Sequence, residues 1–109
     1  MALAPARVSM PAEAKKGDII EIKALIRHVM ETGHRSDARG NPIPRNIITT
    51  FTVTYGGEEV FRMDLNPGVS ANPYVMFSTL ATQTGELVFT WTDQNGAETV
   101  ERKQITVTG

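Results

Sequence analysis

His28, Glu31, His34 and Asp37 recur at every third position of one polar segment. Imidazole nitrogens and carboxylate oxygens are the usual donors to zinc and related divalent ions. On a helix, successive members three apart would be neighbours along the surface. Gly33, Gly40, Pro42 and Pro44 interrupt the segment, so no helix long enough to use the spacing is expected. The four would then meet only if a loop folded them together. A solvated polar loop is the simpler reading, and neither a metal nor a cofactor is expected.

The whole stretch from His28 to Asn46 is polar and punctuated by glycine and proline. Long loops of this kind in small domains contact something more often than they merely connect. His28, His34, Arg35, Arg39 and Arg45 make it locally cationic, which suits an anion or acidic partner but equally suits simple solubility. Glu31 and Asp37 lie among these arginines, and surface ion pairing accounts for them. No two carboxylates share an apolar setting that would separate their pKa values for acid–base work. Ser36, Ser70 and Ser78 stand in no nucleophile motif. With no cysteine, disulfides, thiolate ligation and cysteine catalysis are excluded. The loop reads as a recognition surface, and the chain as no enzyme.

At 109 residues and 40% apolar content the chain reads as a single domain over 1–109, with residues 1–6 as a loose lead. A net charge of −1 gives no basic excess for a phosphate backbone, so nucleic acid is not expected as a partner. No apolar run approaches the roughly 20 residues that span a bilayer. The N-terminus lacks the basic start and apolar core of a secretory signal. A working place outside the cytoplasm would require export by another protein or a leader removed earlier.

Alternation with period two predicts the elements that hold the loop. From Asp18 to His28, Ile20, Ile22, Ala24 and Ile26 alternate with Glu21, Lys23 and Arg27, as in a strand with one buried face. From Ile47 to Tyr55, Ile47, Phe51 and Val53 oppose Thr50, Thr52 and Thr54. Gly56-Gly57 predicts a tight hairpin turn into Glu58–Leu65, with Phe61, Met63 and Leu65 inward. Further strands are expected over Tyr74–Thr79, Glu86–Asp93 and Ala97–Val107, with Trp91 in the core and a turn at Asn95-Gly96. The apolar phase shifts between Val100 and Ile105, which predicts a bulge or a change of sheet in the last strand. A short edge strand is expected over Arg7–Met10, ended by Pro11. About seven short strands and no long helix predict an all-β fold, an antiparallel β-sandwich of immunoglobulin type.

Some aliphatic residues fall out of phase. Ile19 and Leu25 lie on the charged face of their strand, and Ile48 on the threonine face of its own. Exposed aliphatics on a sheet suggest burial by a partner. The loop Asn66–Pro73, stiffened by two prolines and ending at Tyr74, either closes one end of the sandwich or joins that interface.

The order of several short pieces resembles the SoxZ family over nearly the whole chain, from about Arg7 to Thr108. The pieces are Lys16-Gly17-Asp18, His28 to Gly33, Arg35, Asp37, Gly40, Ile43-Pro44, Gly68-Val69-Ser70, Asn72-Pro73-Tyr74, Trp91, Asp93 and Gly96. Their order is specific where no single piece is. Val29 departs from the proline expected after the histidine. The resemblance implies a non-catalytic subunit that pairs with a SoxY subunit in a heterodimer able to assemble further, and that transiently meets other Sox proteins. SoxY carries thiosulfate-oxidation intermediates on a cysteine of a mobile arm. It implies a periplasmic site reached without a signal peptide of its own, by export with the partner; an unpartnered chain would stay cytoplasmic. The expected interface takes in Ile19, Leu25, Ile48, His28, Glu31, His34, Arg35, Asn72, Pro73 and Tyr74. The competing expectations are a small metal-binding sandwich using His28 and His34, and a generic accessory immunoglobulin-like binding module.

Overall fold

The computed structural model describes residues 6–109, which form eight strands. They are β1 (Ala6–Ser9), β2 (Glu13–Lys15), β3 (Ile19–Ile26), β4 (Ile48–Tyr55), β5 (Glu58–Asp64), β6 (Tyr74–Leu80), β7 (Gly85–Asp93) and β8 (Glu98–Thr108). A three-stranded sheet in the order β1-β3-β6 packs on a five-stranded sheet in the order β2-β8-β7-β4-β5. The architecture is an immunoglobulin-like β-sandwich. Of the loose lead expected over 1–6, residues 1–5 lie outside the described residues, and Ala6 opens β1 opposite Ile26.

Alternation decides which side chains go inside. In β3, Ile20, Ile22, Ala24 and Ile26 are all buried. Facing them, Phe51 stacks on Trp91 with ring centroids 4.7 Å apart, and Phe89 lies 6.5 Å from Phe51. Phe61 on β5 and Phe77 on β6 stack at 4.4 Å and close the side of the sandwich where both sheets end. Such ring pairs add to the area that they remove from water.

The β4–β5 hairpin turns on Gly56 and Gly57 at φ +60° and +88°. Two successive positive φ angles define the turn whose twist matches a hairpin, and glycine adopts them without a Cβ clash. The β7–β8 connection is longer than an Asn-Gly turn. Asp93 accepts from the amides of Asn95 and Ala97 through Oδ1, at 2.8 and 2.9 Å, and Gly96 takes positive φ.

Three expectations are corrected. Ile48 is buried, not exposed among the threonines. Its register with β7 slips between Ile48 and Thr50, so Thr49 is an extra residue and both Ile47 and Ile48 turn inward. In β8 the pairing with β7 runs unbroken from Gly85↔Ile105 to Thr92↔Glu98, so the phase shift marks no bulge. Val100 simply faces outward and half-exposed. The segment that changes sheet is instead the N-terminal one. β1 pairs with β3, Pro11 breaks the strand, and β2 then runs parallel to the end of β8. That three-residue strand carries no alternation signal, and it makes one pair of the sandwich parallel.

Tyr55 ties the two sheets together at one end. Its hydroxyl donates to the Gln83 carbonyl in the β6–β7 loop and accepts from the amides of Thr82 (3.3 Å) and Gln83 (3.1 Å). Removing the oxygen leaves those groups without this partner at a corner where Tyr55 is buried but Thr82 and Gln83 are exposed. Tyr55→Phe is expected to lower unfolding free energy by about 0.5–1.5 kcal/mol in a urea titration. In the same assay Ile48→Ala should cost about 2–5 kcal/mol, and Ile19→Ala less than about 0.5. Equal losses at Ile48 and Ile19 would contradict the register of β4.

Candidate docking surface

The outer face of the three-stranded sheet is built by the odd positions of β3 and the even positions of β6. Register places Ile19 opposite Leu80, Glu21 opposite Ser78, Lys23 opposite Met76 and Leu25 opposite Tyr74. Ile19 is 74% exposed, Tyr74 and Met76 59% each, and Leu80 54%. Leu25 is half-buried. The row runs about 20 Å from Ile19 to Leu25 at the rise of an extended strand. Beside it, β6 is bonded to β3 on one edge alone, and the seven residues of β6 include no charge. Natural sheets protect such edges with lysine, proline, bulges or a covering element.

Two loops meet at the Tyr74 end of this face. His28 and Asn72 bond reciprocally: the His28 amide donates to Asn72 Oδ1 at 2.9 Å, and the Asn72 amide donates to the His28 carbonyl at 2.7 Å. Asn72 sits at φ +54°, which asparagine tolerates better than most residues. The Met30 amide donates to His28 Nδ1 at 3.0 Å, which assigns the ring proton to Nε2. Met30 itself has φ +47°, and its Sδ accepts from the Ile48 amide at 3.3 Å. Pro73 is buried, and its carbonyl extends the β3–β6 ladder to Ile26, so its ring sets the backbone rather than the surface.

Between these anchors the segment 31–46 folds as an irregular hairpin. Glu31 and Asn46 exchange backbone bonds at 2.8 and 2.9 Å, and Ile43 donates to Arg35 at 2.9 Å. Gly33, at positive φ, lies against Arg45, whose Cβ would be 3.1 Å from any added Cβ. At the tip, Asp37 Oδ1 accepts from the amides of Arg39 and Asn41. Gln94 fastens the base, accepting from Arg45 Nε at 3.0 Å and donating to the Arg45 carbonyl at 2.8 Å. An open groove of about 560 Å³ runs beside the hairpin, between exposed Val29, Ile43, Pro44 and Ala71.

The four residues spaced at threes are separately engaged. Glu31 is buried and grips Arg35, which donates to it through Nε and Nη2, the shortest contact being 2.7 Å. That pairing lowers the Glu31 pKa and raises that of Arg35. His28 is held by its backbone partners, Asp37 caps the tip and His34 is exposed. Among the described residues no cluster of three potential metal ligands forms. Of the expected interface residues, Ile19, Leu25 and Tyr74 share the outer face. His28, Glu31, His34, Arg35 and Asn72 build the adjoining loops, and Ile48 lies in the core. Met76, Leu80 and Val29 were missed. β6 is apolar on both faces, so alternation cannot say which of its residues is outside.

Fold and surface together define an immunoglobulin-like sandwich that displays exposed Ile19, Tyr74, Met76 and Leu80 on one outer sheet face. The model of the sulphur oxidation protein SoxZ family matches residues 7–104, and the chain belongs to that family. It therefore has a role in the Sox system of sulfur oxidation. No curated protein sequence matches the chain. Among solved structures it is similar to a superoxide reductase (neelaredoxin) from Ignicoccus hospitalis, at 16% identity and TM-score 0.69, covering 94% of this chain and 78% of that one. The sulfur carrier protein SoxY from Chlorobium limicola f. thiosulfatophilum follows at 15% identity and TM-score 0.67, covering 95% and 79%. A superoxide reductase homologue from Thermotoga maritima gives 16% identity and TM-score 0.65, covering 95% and 86%. At these identities the likeness shows the fold alone.

Burial holds the His28 imidazole below its ordinary value of 6.5, with Asp93 and the Asn46 side chain pulling the other way. A proton on Nδ1 would also face the donating Met30 amide. The neutral ring therefore contributes stability that is complete above pH 6.5 and lost as pH falls through the lower folded value. Thermal midpoints should drop as pH falls below 6.5, with the Met30 amide resonance reporting the same protonation. His28→Asn keeps an acceptor that does not titrate and should flatten that slope; an unchanged slope would contradict the assignment.

Proposed function

We propose that the chain is the non-catalytic partner of a cysteine-bearing SoxY subunit in thiosulfate and sulfur oxidation. The observation that carries this reading is the outer face of β3 and β6, where exposed Ile19, Tyr74, Met76 and Leu80 surround the Glu21–Lys23 pair beside an uncharged open edge. A monomer keeps such a patch small or covers it. A second sandwich laid on it would bury Ile19, Tyr74, Met76 and Leu80 together and satisfy the edge of β6, as strand addition does in peptide recognition.

Division of labour follows from composition. The chain has no cysteine, so a covalently bound sulfur intermediate must be carried by the partner. This subunit stabilises the carrier and extends its surface. The hairpin 31–46 and the Asn66–Pro73 loop lie at the Tyr74 end of the face, where they offer transiently bound Sox enzymes a shaped and hydrogen-bonded platform. The working compartment is the periplasm, reached bound to the signal-bearing partner.

Native mass spectrometry of the chain with a SoxY-type protein tests the reading. A one-to-one complex is expected. Met76→Asp should weaken it by about thirtyfold or more, the scale of an interface hot spot. Arg62→Asp, on the other sheet, should leave it unchanged. No complex with the unaltered chain would contradict the partnership, and equal affinity for Met76→Asp would contradict the face.

A further inference from the structure

The edge of the three-stranded sheet opposite β6 carries a second feature. Arg7 pairs in register with Leu25, and Ser9 with Lys23, so Arg7, Ser9 and Lys23 share the outer face with Tyr74. From the other sheet, Glu101 and Lys103 of β8 point inward past the end of the apolar core and reach the same place, half-buried. Their cross-strand neighbours are Phe89 and Leu87, whose side chains fill the core. Between β1 and β8 these residues enclose an open cleft of about 450 Å³.

Three cations and one carboxylate face this cleft, in a protein whose net charge is −1. Among the described residues, Arg7, Lys103 and Glu101 enter no ion pair, and Lys23 reaches Glu21 only at 3.9 Å. The remaining charged side chains that pair do so on other surfaces: Arg35 with Glu31, Arg62 with Glu59 and Arg102 with Glu86. Cations concentrated in a concave site with low-dielectric walls focus their field there. Hydroxyls of Ser9 and Tyr74 add neutral donors, and a planar guanidinium offers paired donors to two oxygens of one anion.

We infer that this cleft binds a small doubly charged tetrahedral oxyanion from solution, with Arg7, Lys23 and Lys103 supplying the charge. Its position at the β1 edge differs from that of the cationic hairpin, where Arg35 is already taken by Glu31. The inference does not depend on the partner reading, because the cleft is complete within one chain.

Amide resonances of the ¹⁵N-labelled chain, titrated with sodium sulfate against sodium chloride of equal ionic strength, test it. Saturable shifts in the millimolar range are expected at Arg7, Ser9, Lys23, Tyr74 and Lys103, with sulfate alone. Lys103→Gln and Arg7→Gln should each weaken binding about threefold to tenfold. Glu101→Gln removes the opposing charge and should tighten it, with the shifts still saturating. Arg62→Gln should change nothing. Shifts that never saturate, that chloride reproduces, or that all four variants leave alike would overturn the assignment. All four positions are exposed or half-buried, so a folding failure in one variant leaves the others to decide.

Discussion

Strand β6 has one neighbour and no charge, and much of this molecule follows from that. Seven residues, Tyr74 to Leu80, lie at the open edge of a sheet with their backbone groups unpaired on one side. Inward, Val75 and Phe77 complete the core, Phe77 through its stack on Phe61. Outward, Tyr74, Met76 and Leu80 meet solvent. A strand apolar on both faces is the pattern of a strand buried on both faces. The sandwich supplies only one of the two coverings, and the proposed partner would supply the other.

The inequality of the sheets shapes the rest. Three strands cannot cover five, and the chain handles the excess differently at each side. On the β6 side, aromatic stacking seals the gap to β5. On the β1 side, the inner face of β8 turns polar at Thr99, Glu101 and Lys103 before Ile105 re-enters the core. Inward charges of this kind guard a sheet margin against further pairing. The break at Pro11 moves the N-terminal strand from one sheet to the other, so that β2 covers the free edge of β8 at its end, Thr106–Thr108. One side of the molecule is thus protected by charge and chain, and the other is left apolar and open. That asymmetry, more than any single residue, sets where association is favourable.

Much of this was legible in the sequence because period-two alternation is a direct readout of a half-buried strand. It located β3, both hairpins, Trp91 in the core and Ile19 and Leu25 on the wrong face. It failed where a strand gains a residue. At Thr49 the bulge turns the next isoleucine inward, and no count of alternating positions reveals that. It failed for Glu13–Lys15, which is too short to alternate, and for Met76 and Leu80, whose strand has apolar residues on both faces. Contacts between distant positions were beyond it as well. Tyr55 meets Gln83 and His28 meets Asn72, each through topology that local pattern does not encode. The residues spaced at threes show the opposite error. Their regularity suggests a shared ligand, but the hairpin commits each to its own backbone or side-chain partner.

The most direct test of the central claim is amide hydrogen exchange of this chain, free and in complex with a SoxY-type subunit. Opening rates of edge amides report whether a covering strand or surface is present. The account predicts fast exchange at Tyr74–Leu80 in the free chain and strong protection there in the complex, extending across β3 to Ile19. Protection confined to the outer face of β7 and β8, with β6 unchanged, would contradict it.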